Sequence, residues 1–445
     1  MKGNSVIITE QKSEMICENL SRSESGELCL AGIRLSPLAE KYGTPLYLYD
    51  EERIRERCRT YLNAVKKAFS GRGRVLYASK AASFRRLYEI MKEEGMGIDV
   101  VSRGEIYTAA SAGYPLDRAY FHSNNKTDED ISYAIDEGVG YFVVDNVEEL
   151  YAIDRIAAER GVRQRVLLRI TPGIDPHTYA AVATGKVDSK FGSAIETGQA
   201  KEITRVALSL PNVELRGFHC HVGSQVFDSD VYLRATDVML TFICNIYKEE
   251  GFMASELDIG GGYGVRYLAS HPTIDIAANI REVGEFMKKR SDELGIPLPE
   301  IAFEPGRSIV ADAGLTLYTV GTVKRIPGYK SYVSVDGGMT DNPRYALYGS
   351  PYTLLPVMDN GAPTEIYSVV GRCCESGDIL QENVPMPENI ARGDLIVCLT
   401  TGAYNYSMAS NYNRIPRPPV VMLRDGESYL AVRRETPADV ASLDV

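Results

Sequence analysis

The chain has 445 residues with a hydrophobic content of 44%, enough for one large globular domain and a smaller one. Its formal net charge of −11 argues against binding to nucleic acids or anionic membranes, because both need clustered Lys and Arg, so small molecules are the expected partners. No apolar run approaches the roughly 20 residues of a membrane span. Residues 1–15 are too polar for a signal peptide, so we expect a cytoplasmic protein.

The first 48 residues combine short β-like pieces with polar turns and do not read as a separate domain. The β-like pieces fall at 27–33 and 45–49, and a short helix is expected over 36–42. An amphipathic helix over 51–69 then leads into the first of a series of apolar strands. The eight cysteines lack the regular spacing of a disulfide framework, so we expect most of them to be small buried hydrophobic residues.

From residue 74 one unit repeats: a short apolar strand, a polar turn and a segment of helical period. Strands are predicted at 74–79, 97–102, 118–123, 140–145, 165–171, 213–222, 256–259 and 300–304, with helices at 103–112, 127–137, 147–160, 196–208, 230–248 and 276–294. Eight strand–helix units predict an α/β fold in which 49–310 form an eight-stranded parallel barrel with function on the loops after the strands. A doubly wound open sheet is the alternative.

After residue 310 the helical period disappears and short β-rich runs follow. They fall at 315–323, 332–335, 366–370, 394–398, 420–423 and 429–433, separated by turn pairs such as Asn360-Gly361. This pattern predicts an antiparallel β domain over 311–445. The N-terminal β pieces have no partner in the barrel, so we expect them to join this sheet, which makes residues 1–48 part of the β domain and the domain discontinuous in sequence.

The candidate site begins with the lysine that ends the first barrel strand, Lys80. A lysine at a strand end usually lies at a rim, and a reactive one needs partners that lower its pKa. The sixth strand ends in a His-x-His pair, and its period of two places His219 and His221 on one face. Such a pair can bind a metal, but with only five histidines in the chain we expect none. Imidazole can instead stack on a flat ring, and Ser224 can bind a phosphate.

Glycines and a carboxylate follow the last two barrel strands. Gly260, Gly261 and Gly262 leave backbone N–H groups free to approach an anion, and these loops commonly bind phosphate in barrels. Glu304 ends the eighth strand, three residues before Arg307. The alternative for the three glycines is a flexible turn, and the alternative for Glu304 and Arg307 is a surface salt bridge. A lysine, a stacking imidazole, phosphate-binding glycines and an acid for a ring nitrogen together indicate a site for pyridoxal 5'-phosphate, which binds covalently to lysine.

Motifs in order along the chain resemble those of the barrel-type (fold type III) pyridoxal-phosphate decarboxylases. They are Tyr77 to Ala81, His122 to Lys126, Asp188 to Gly192, His219 to Gln225, Asp258 to Tyr263, Glu304 to Ser308, Gly371 to Asp378 and Gly402 to Asn413. The resemblance covers roughly residues 38–418. The chain departs from the family pattern at Ala82, Arg103 and Tyr179, and the last two could alter loop packing near the site.

The resemblance implies a role for each site residue. Lys80 would hold the cofactor, His221 would stack on its ring and Glu304 would pair with the ring nitrogen, while Cys374 would be the acid on the opposite face. The phosphate would contact Ser224, Gly261, Gly262, Gly306, Arg307 and Tyr404. The far end of the substrate would contact Arg307, Arg344, Tyr348, Glu375 and Tyr404. Without the resemblance, Cys374 could be a buried thiol and Arg344 could belong to an ordinary polar loop.

Within this family the motifs favour decarboxylation of diaminopimelate, whose far end carries both a carboxylate and an amine. Ornithine, arginine or a carboxylated polyamine is the alternative substrate, and a non-catalytic pyridoxal-phosphate carrier or an amino-acid racemase is a more distant one. The resemblance further implies a homodimer with shared active sites. Lys80 would come from one chain and Cys374 with Glu375 from the other, the alternative being a self-contained monomer site.

Overall fold

The computed structural model describes residues 15–174 and 189–445, so Tyr179 and Asp188 lie outside the described residues. By internal packing the chain divides into two compact units. One comprises Glu56–Gly264 and Thr273–Ser308, and the other Met1–Arg55, Val265–Pro272 and Ile309–Val445. The boundaries predicted from the sequence, 1–48, 49–310 and 311–445, stay a prediction.

The first unit is built on a closed parallel barrel. Its strands, called here the first to the eighth, are Gly73–Ala78, Gly97–Val100, Ala119–Phe121, Tyr141–Val144, Gln164–Thr171, Val213–His219, Glu256–Asp258 and Glu300–Phe303. Each strand pairs in parallel with the next, and the eighth returns to the first, with Phe303 opposite Val75. The predicted barrel is therefore confirmed, and the open-sheet alternative is wrong. A two-residue strand, Ser193–Ala194, adds to the fifth.

Helices connect the barrel strands. They are Glu51–Ala68, Arg85–Glu94, Arg103–Ser111, Asp128–Asp136, Val147–Glu159, Gln199–Ser209, Asp230–Glu250 and Ile276–Leu294. Several begin at a side chain that accepts a backbone N–H, such as Thr127, whose capping box with Asp130 starts one helix. Gly95, Gly251 and Gly295 end helices in the left-handed conformation that glycine adopts without strain.

A polar network closes the barrel where its strands begin. Arg74 donates through Nη1 to the hydroxyls of Tyr120 (2.6 Å) and Tyr141 (2.9 Å), and its Nε lies 3.0 Å from Glu300 Oε1. The two tyrosine rings stack with centroids 4.3 Å apart, and Arg165 lies 4.3 Å above the ring of Tyr141. These side chains satisfy one another's polar groups and link the starts of several strands, and they also line a surface cavity at this end of the barrel.

The second unit is built on a mixed β-sheet. In spatial order its strands are Ile379–Pro387, Thr364–Val370, Ser331–Val335, Gly314–Arg325, Leu46–Asp50, Val420–Arg424 and Glu427–Val432, with Leu395–Cys398 joining Gly314–Arg325 to Leu354–Pro356. Two pairings are parallel, Ser331–Val335 with Thr364–Val370 and Leu46–Asp50 with Val420–Arg424, and the others are antiparallel. The β domain built from both ends of the chain is therefore confirmed. Its helices are Leu35–Tyr42, Arg344–Tyr348 and Pro437–Ala441.

One N-terminal prediction was wrong in detail. The piece at 27–33 does not join the large sheet but forms a separate three-stranded sheet, Leu20–Arg22, Leu28–Leu30 and Ile33–Arg34. The cause is the Ala31-Gly32 turn, where both residues have positive φ, because it folds the chain back on itself and pairs the strand edge locally. Among residues 15–174 and 189–445, no helix combines the length and the apolar character that a bilayer span requires.

Candidate active site

Lys80 lies where the first barrel strand ends, in a single helical turn formed by Ser79–Ala81. Its neighbours Ser79 and Ala81 are buried, while Lys80 itself is exposed. Burial raises the pKa of Asp99 and lowers that of His221, and the positive charge of Lys80 acts on both groups, opposing the first shift and adding to the second. The structure therefore places this lysine over the carboxyl ends of the strands.

Lys126, which follows the third strand, is in a different situation. Its side chain is fully buried, and Nζ lies 2.7 Å from Glu149 Oε1 while also donating to the carbonyls of Val143 and Ser123. An ammonium held by three acceptors cannot act as a free nucleophile. Of these two strand-end lysines, Lys80 is therefore the one suited to covalent chemistry.

Glu304, at the end of the eighth strand, is held between two imidazoles. Its Oε2 lies 3.1 Å from His219 Nε2 and its Oε1 lies 2.7 Å from His122 Nε2, and the two rings meet edge to face with centroids 5.0 Å apart. Burial alone would raise the pKa of Glu304, but the two histidines hold it well below its ordinary value. Burial lowers the pKa of His122 to about 4. The site therefore contains an ionised carboxylate beside two neutral imidazoles at neutral pH.

Two further buried carboxyls surround Glu304. Burial, followed by the charge of Glu304, raises the pKa of Asp99 and of Asp258 well above the ordinary value. Near them, burial raises the pKa of Glu105 to about 7, although the backbone N–H of Val101 and the charge of Lys80 lower it. Among these carboxyls, Glu304 alone is stabilised as an anion, because it is the one that both imidazoles contact.

The sixth and seventh strands end in a cradle of backbone. His221 is half-buried, and its Nδ1 accepts the N–H of Gly261 at 3.3 Å, which fixes the ring. A side chain at Gly261 would place Cβ 2.0 Å from the carbonyl oxygen of Glu304, and one at Gly262 would place it 2.2 Å from that of Gly223. No residue other than glycine fits at these two positions, so the backbone itself forms this surface.

Ser224 and Arg307 meet beside the cradle. Arg307 is buried and its Nη2 donates to Ser224 Oγ at 3.0 Å. Gly306 packs tightly below them, because a Cβ there would lie 2.8 Å from Cβ of Ala78. A guanidinium and a hydroxyl beside exposed backbone are groups that bind an oxyanion such as phosphate.

His122, His219 and Arg169 belong to the site, although no role in cofactor binding was predicted for them from the sequence. Arg169 is largely buried in the fifth strand, where its Cζ lies 4.3 Å above the ring of Phe191, and burial lowers its pKa although Asp145 and Glu304 raise it. One signal was available. Each of the three polar residues lies at or near the carboxyl end of an apolar strand, as Glu304 does.

The departures from the family pattern that the structure describes are accommodated locally. Ala82 is buried, and its carbonyl accepts the hydroxyl of Tyr77 at 2.9 Å. Arg103 lies 3.0 Å from both Glu129 Oε2 and Asp130 Oδ1, so it pairs with the start of the following helix.

Within the second unit, Arg344 lies between two aromatic rings. Its Cζ is 5.3 Å from the ring centroids of both Tyr348 and Tyr404, and Nη2 lies 3.5 Å from Ser350 Oγ. The residue is 7% exposed, and its buried Nε has no hydrogen-bond partner among the described residues. A desolvated guanidinium with an unsatisfied N–H is suited to a carboxylate ligand.

Cys374 and Glu375 lie on another loop of the same unit. Cys374 is exposed, which differs from the buried-thiol alternative, and its N–H donates to Asn413 Oδ1 at 2.8 Å. Glu375 is exposed, and its Oε1 accepts the N–H of Gly377 at 3.1 Å. Both side chains can therefore meet a ligand from solvent.

The residues of the barrel unit fit pyridoxal phosphate. Glu304 Oε1 lies 2.7 Å from His122 Nε2, and an ionised carboxylate has enough lone pairs to accept a further hydrogen bond from a ring N–H. The glycine backbone allows a phosphate to approach closely, and Ser224 and Arg307 are side-chain donors beside it. His122, His219 and Glu304 also place one metal-type ligand atom each within 4.8 Å of one another. If the site binds pyridoxal phosphate, Glu304 is the carboxylate that pairs with the ring nitrogen, and His122 and His219 hold it in place.

Comparisons with known proteins agree with this chemistry. The family model described as "pyridoxal-dependent decarboxylase, pyridoxal binding domain" matches residues 51–311. Diaminopimelate decarboxylase of Bacillus subtilis (strain 168) is 42% identical over 428 residues, 95% of this chain and 96% of the relative. That of Staphylococcus aureus (strain COL) is 41% identical over 93% of this chain and 96% of the relative.

A solved structure extends the likeness to the fold. Diaminopimelate decarboxylase from M. jannaschii, in complex with L-lysine, matches with a TM-score of 0.89 at 32% identity. The match covers 96% of this chain and 98% of that one. On its sequence, its barrel and its relatives, the chain belongs to the family of pyridoxal-dependent decarboxylases.

Proposed function

We infer that this protein catalyses the pyridoxal-phosphate-dependent decarboxylation of meso-2,6-diaminopimelate to L-lysine and CO2, the last step of lysine biosynthesis. The relatives named above carry this activity in their names. The observation that carries the chemistry is the ionised Glu304, buried between His122 and His219 at the same end of the barrel as Lys80. The decarboxylases that act on ornithine, arginine or a carboxylated polyamine share the cofactor chemistry, so the substrate depends on Arg344 and its neighbours.

The barrel residues bind and orient the cofactor. Bound pyridoxal phosphate supplies an electron sink, its protonated ring, for the electron pair left behind when CO2 departs. Glu304 keeps the proton on the ring nitrogen, because an ionised carboxylate in a buried site favours the cationic form of its partner. Lys80 would hold the cofactor covalently, and His221 would lie against its ring. The phosphate would be bound by groups at Gly261, Gly262, Gly306, Ser224 and Arg307, and Tyr404 is proposed as a further phosphate contact.

The second unit supplies the groups that recognise the substrate. Arg344 binds the distal carboxylate in the space beside Tyr348 and Tyr404, where its unsatisfied Nε gains a partner. Glu375 binds the distal amine, and Arg307 assists at the carboxylate. The exposed Cys374 would be the proton donor to the carbon from which CO2 departs.

Lys80→Ala tests the cofactor assignment. The variant should lose the covalently bound cofactor and at least about 1,000-fold of the activity, because a nucleophile is removed outright. Borohydride reduction of the wild-type protein followed by peptide mapping should label Lys80. Lys190→Ala, which removes another lysine of the same unit, should retain both cofactor and activity. A label on Lys126 or Lys190 would overturn the assignment.

A CO2-release assay tests the substrate. Diaminopimelate, ornithine, arginine and a carboxylated polyamine are offered to the same holoenzyme preparation. Diaminopimelate should react with the highest kcat/KM, because it is the one among these four whose far end presents both charges that Arg344 and Glu375 complement. Equal turnover of ornithine would contradict the proposal.

We further propose that the working unit is a homodimer in which each active site takes Lys80 from one chain and Cys374 with Glu375 from the other. Complementation tests this proposal. Lys80→Ala and Cys374→Ala proteins are each nearly inactive, but after subunit exchange about half of the dimers are mixed and each has one intact site. About a quarter of wild-type activity should return. If subunits exchange and no activity returns, Cys374 serves its own chain.

The cysteines support a cytoplasmic location, which is part of this proposal. All eight lie within the described residues, and none of them forms a disulfide. Free thiols persist in reducing compartments, whereas secreted proteins tend to pair them. Fractionation of the source cells should recover the activity with the cytosol, and its recovery with an extracellular fraction would contradict this location.

A further inference from the structure

We propose that Asp378 is a positioning residue whose carboxylate fixes the backbone that carries Cys374 and Glu375. The inference rests on the proposed function, because it concerns how the proton donor is presented to the substrate. The buried carboxylate of Asp378 contacts the side chain of neither Cys374 nor Glu375, so its proposed role is to position them through the backbone.

The carboxylate of Asp378 connects two loops of the second unit. Its Oδ2 accepts the N–H of Cys373 at 2.7 Å, and its Oδ1 accepts the N–H of Met339 at 2.6 Å. The backbone carbonyl of Asp378 accepts the N–H of Gly371 at 3.0 Å, which closes the base of the loop 371–378. Asp378 is 3% exposed, so these bonds are shielded from water, and charge-assisted bonds of this kind are stronger than neutral ones.

Two glycines leave room for the carboxylate. A Cβ at Gly338 would lie 2.5 Å from Asp378 Oδ1, and one at Gly371 would lie 2.2 Å from Oδ2. Both contacts are shorter than any that real Cβ atoms make, so a side chain at either position would displace the carboxylate. Glycine is therefore needed at both positions to leave space for the two carboxylate oxygens of Asp378.

The fixed backbone continues into the proton donor. Cys373 N–H is held by Asp378, and the next N–H, that of Cys374, is held by Asn413 Oδ1 at 2.8 Å. The side chain of Cys374 is exposed, and these two backbone bonds fix the position and direction of the Cα–Cβ bond from which its Sγ projects. An exposed catalytic thiol gains a defined direction in this way, and that is what preorganisation of a proton donor requires.

The same carboxylate makes the two neighbouring thiols unlike each other. Burial, and after it the charge of Asp378, raises the pKa of Cys373 to about 12, so Cys373 stays protonated at neutral pH. Removing the charge of Asp378 should lower that pKa and make Cys373 more reactive. The relative labelling of the two thiols therefore reports on Asp378 without any need for enzymatic turnover.

Asp378→Asn in the holoenzyme is the test variant. Its amide turns an N–H2 toward one of the two N–H groups, so one of the two bonds is lost. We expect the ratio of iodoacetamide labelling at Cys373 to that at Cys374, measured by peptide mapping at pH 8.5, to rise at least fivefold. We expect kcat per bound cofactor to fall 10- to 100-fold, with the cofactor dissociation constant within twofold of wild type. Asp394→Asn is the control, since Asp394 Oδ2 accepts a single N–H, that of Ala391, in another loop.

A second variant, Gly371→Ala, displaces the carboxylate without removing its charge and should lower kcat per bound cofactor in the same way. The proposal is overturned if Asp378→Asn leaves the labelling ratio and kcat within twofold of wild type. It is also overturned if neither variant folds and binds cofactor, because Asp378 would then be needed for folding. Cys374→Ala separates the two proposals. If that variant keeps wild-type turnover, Cys374 is not the proton donor. The labelling ratio in Asp378→Asn still shows whether Asp378 controls the reactivity of Cys373.

Discussion

Replacing Arg344 by alanine should weaken the use of diaminopimelate far more than it weakens cofactor binding. The guanidinium is 7% exposed, with an Nε that no described residue accepts, so a substrate carboxylate would gain charge-assisted hydrogen bonds in a desolvated site. Such bonds contribute about 1.5–3 kcal/mol, which corresponds to about a 10- to 160-fold loss of kcat/KM at 1.36 kcal/mol per decade. CO2 release gives kcat/KM, and cofactor absorbance titration gives the dissociation constant that should stay within twofold.

Arg344→Lys is the matched control, because it keeps the charge but loses the planar fork that grips a carboxylate at two points. Its kcat/KM should fall between those of the wild type and Arg344→Ala. The alanine variant also loses two cation–π contacts, with Tyr348 and Tyr404, each contributing roughly 0.5–1 kcal/mol, so its thermal stability should fall slightly. If kcat/KM and cofactor affinity fall by the same factor, Arg344 is a structural residue and the substrate assignment is refuted.

Two further predictions concern the cofactor cradle and the β unit. Gly261→Ala should lower cofactor affinity at least tenfold in an absorbance titration, because its methyl group would lie 2.0 Å from the carbonyl oxygen of Glu304, whereas Gly104→Ala, with its nearest contact at 3.7 Å, should change nothing. Asp341→Asn should gain stability relative to wild type as pH rises. Burial raises the pKa of Asp341 to about 7, so the folded wild-type protein binds the proton more tightly than the unfolded chain, and its stability falls between about pH 4 and 7. Chemical denaturation at pH 5 and pH 8 should show a relative gain of about 2.5 kcal/mol, and parallel curves for the two proteins would contradict the assignment.

The barrel could be predicted because its strands are short apolar runs and its helices carry clear start signals, so local pattern and global fold agree. The same pattern placed Lys80 and Glu304 at strand ends. The pairing of Glu304 with His122 and His219 could not be predicted in this way, because it joins the ends of the third, sixth and eighth strands, which meet only when the barrel closes.

The β unit was harder to predict for a different reason. The strand Ile379–Pro387 contains two prolines and an asparagine with positive φ, and it pairs through bulges, so it lacks the alternation that marks a strand. Conversely, the segment around residues 27–33 has a good strand pattern but a turn that pairs it locally. In both segments, strand pairing in the folded protein determines the secondary structure, and the amino-acid composition alone does not predict it.

The network at the closed end of the barrel has a consequence for how such a chain can diverge. Arg74, Tyr120 and Tyr141 form a polar plug where the strands begin, whereas Lys80 and Glu304 lie where they end. The plug lies at the opposite end of the strands from the reactive groups, so it can preserve the barrel while loops at the reactive end are replaced. A lineage with this arrangement can exchange one substrate for another and keep the same scaffold, provided that substitutions leave Arg74 and its two hydroxyl partners together.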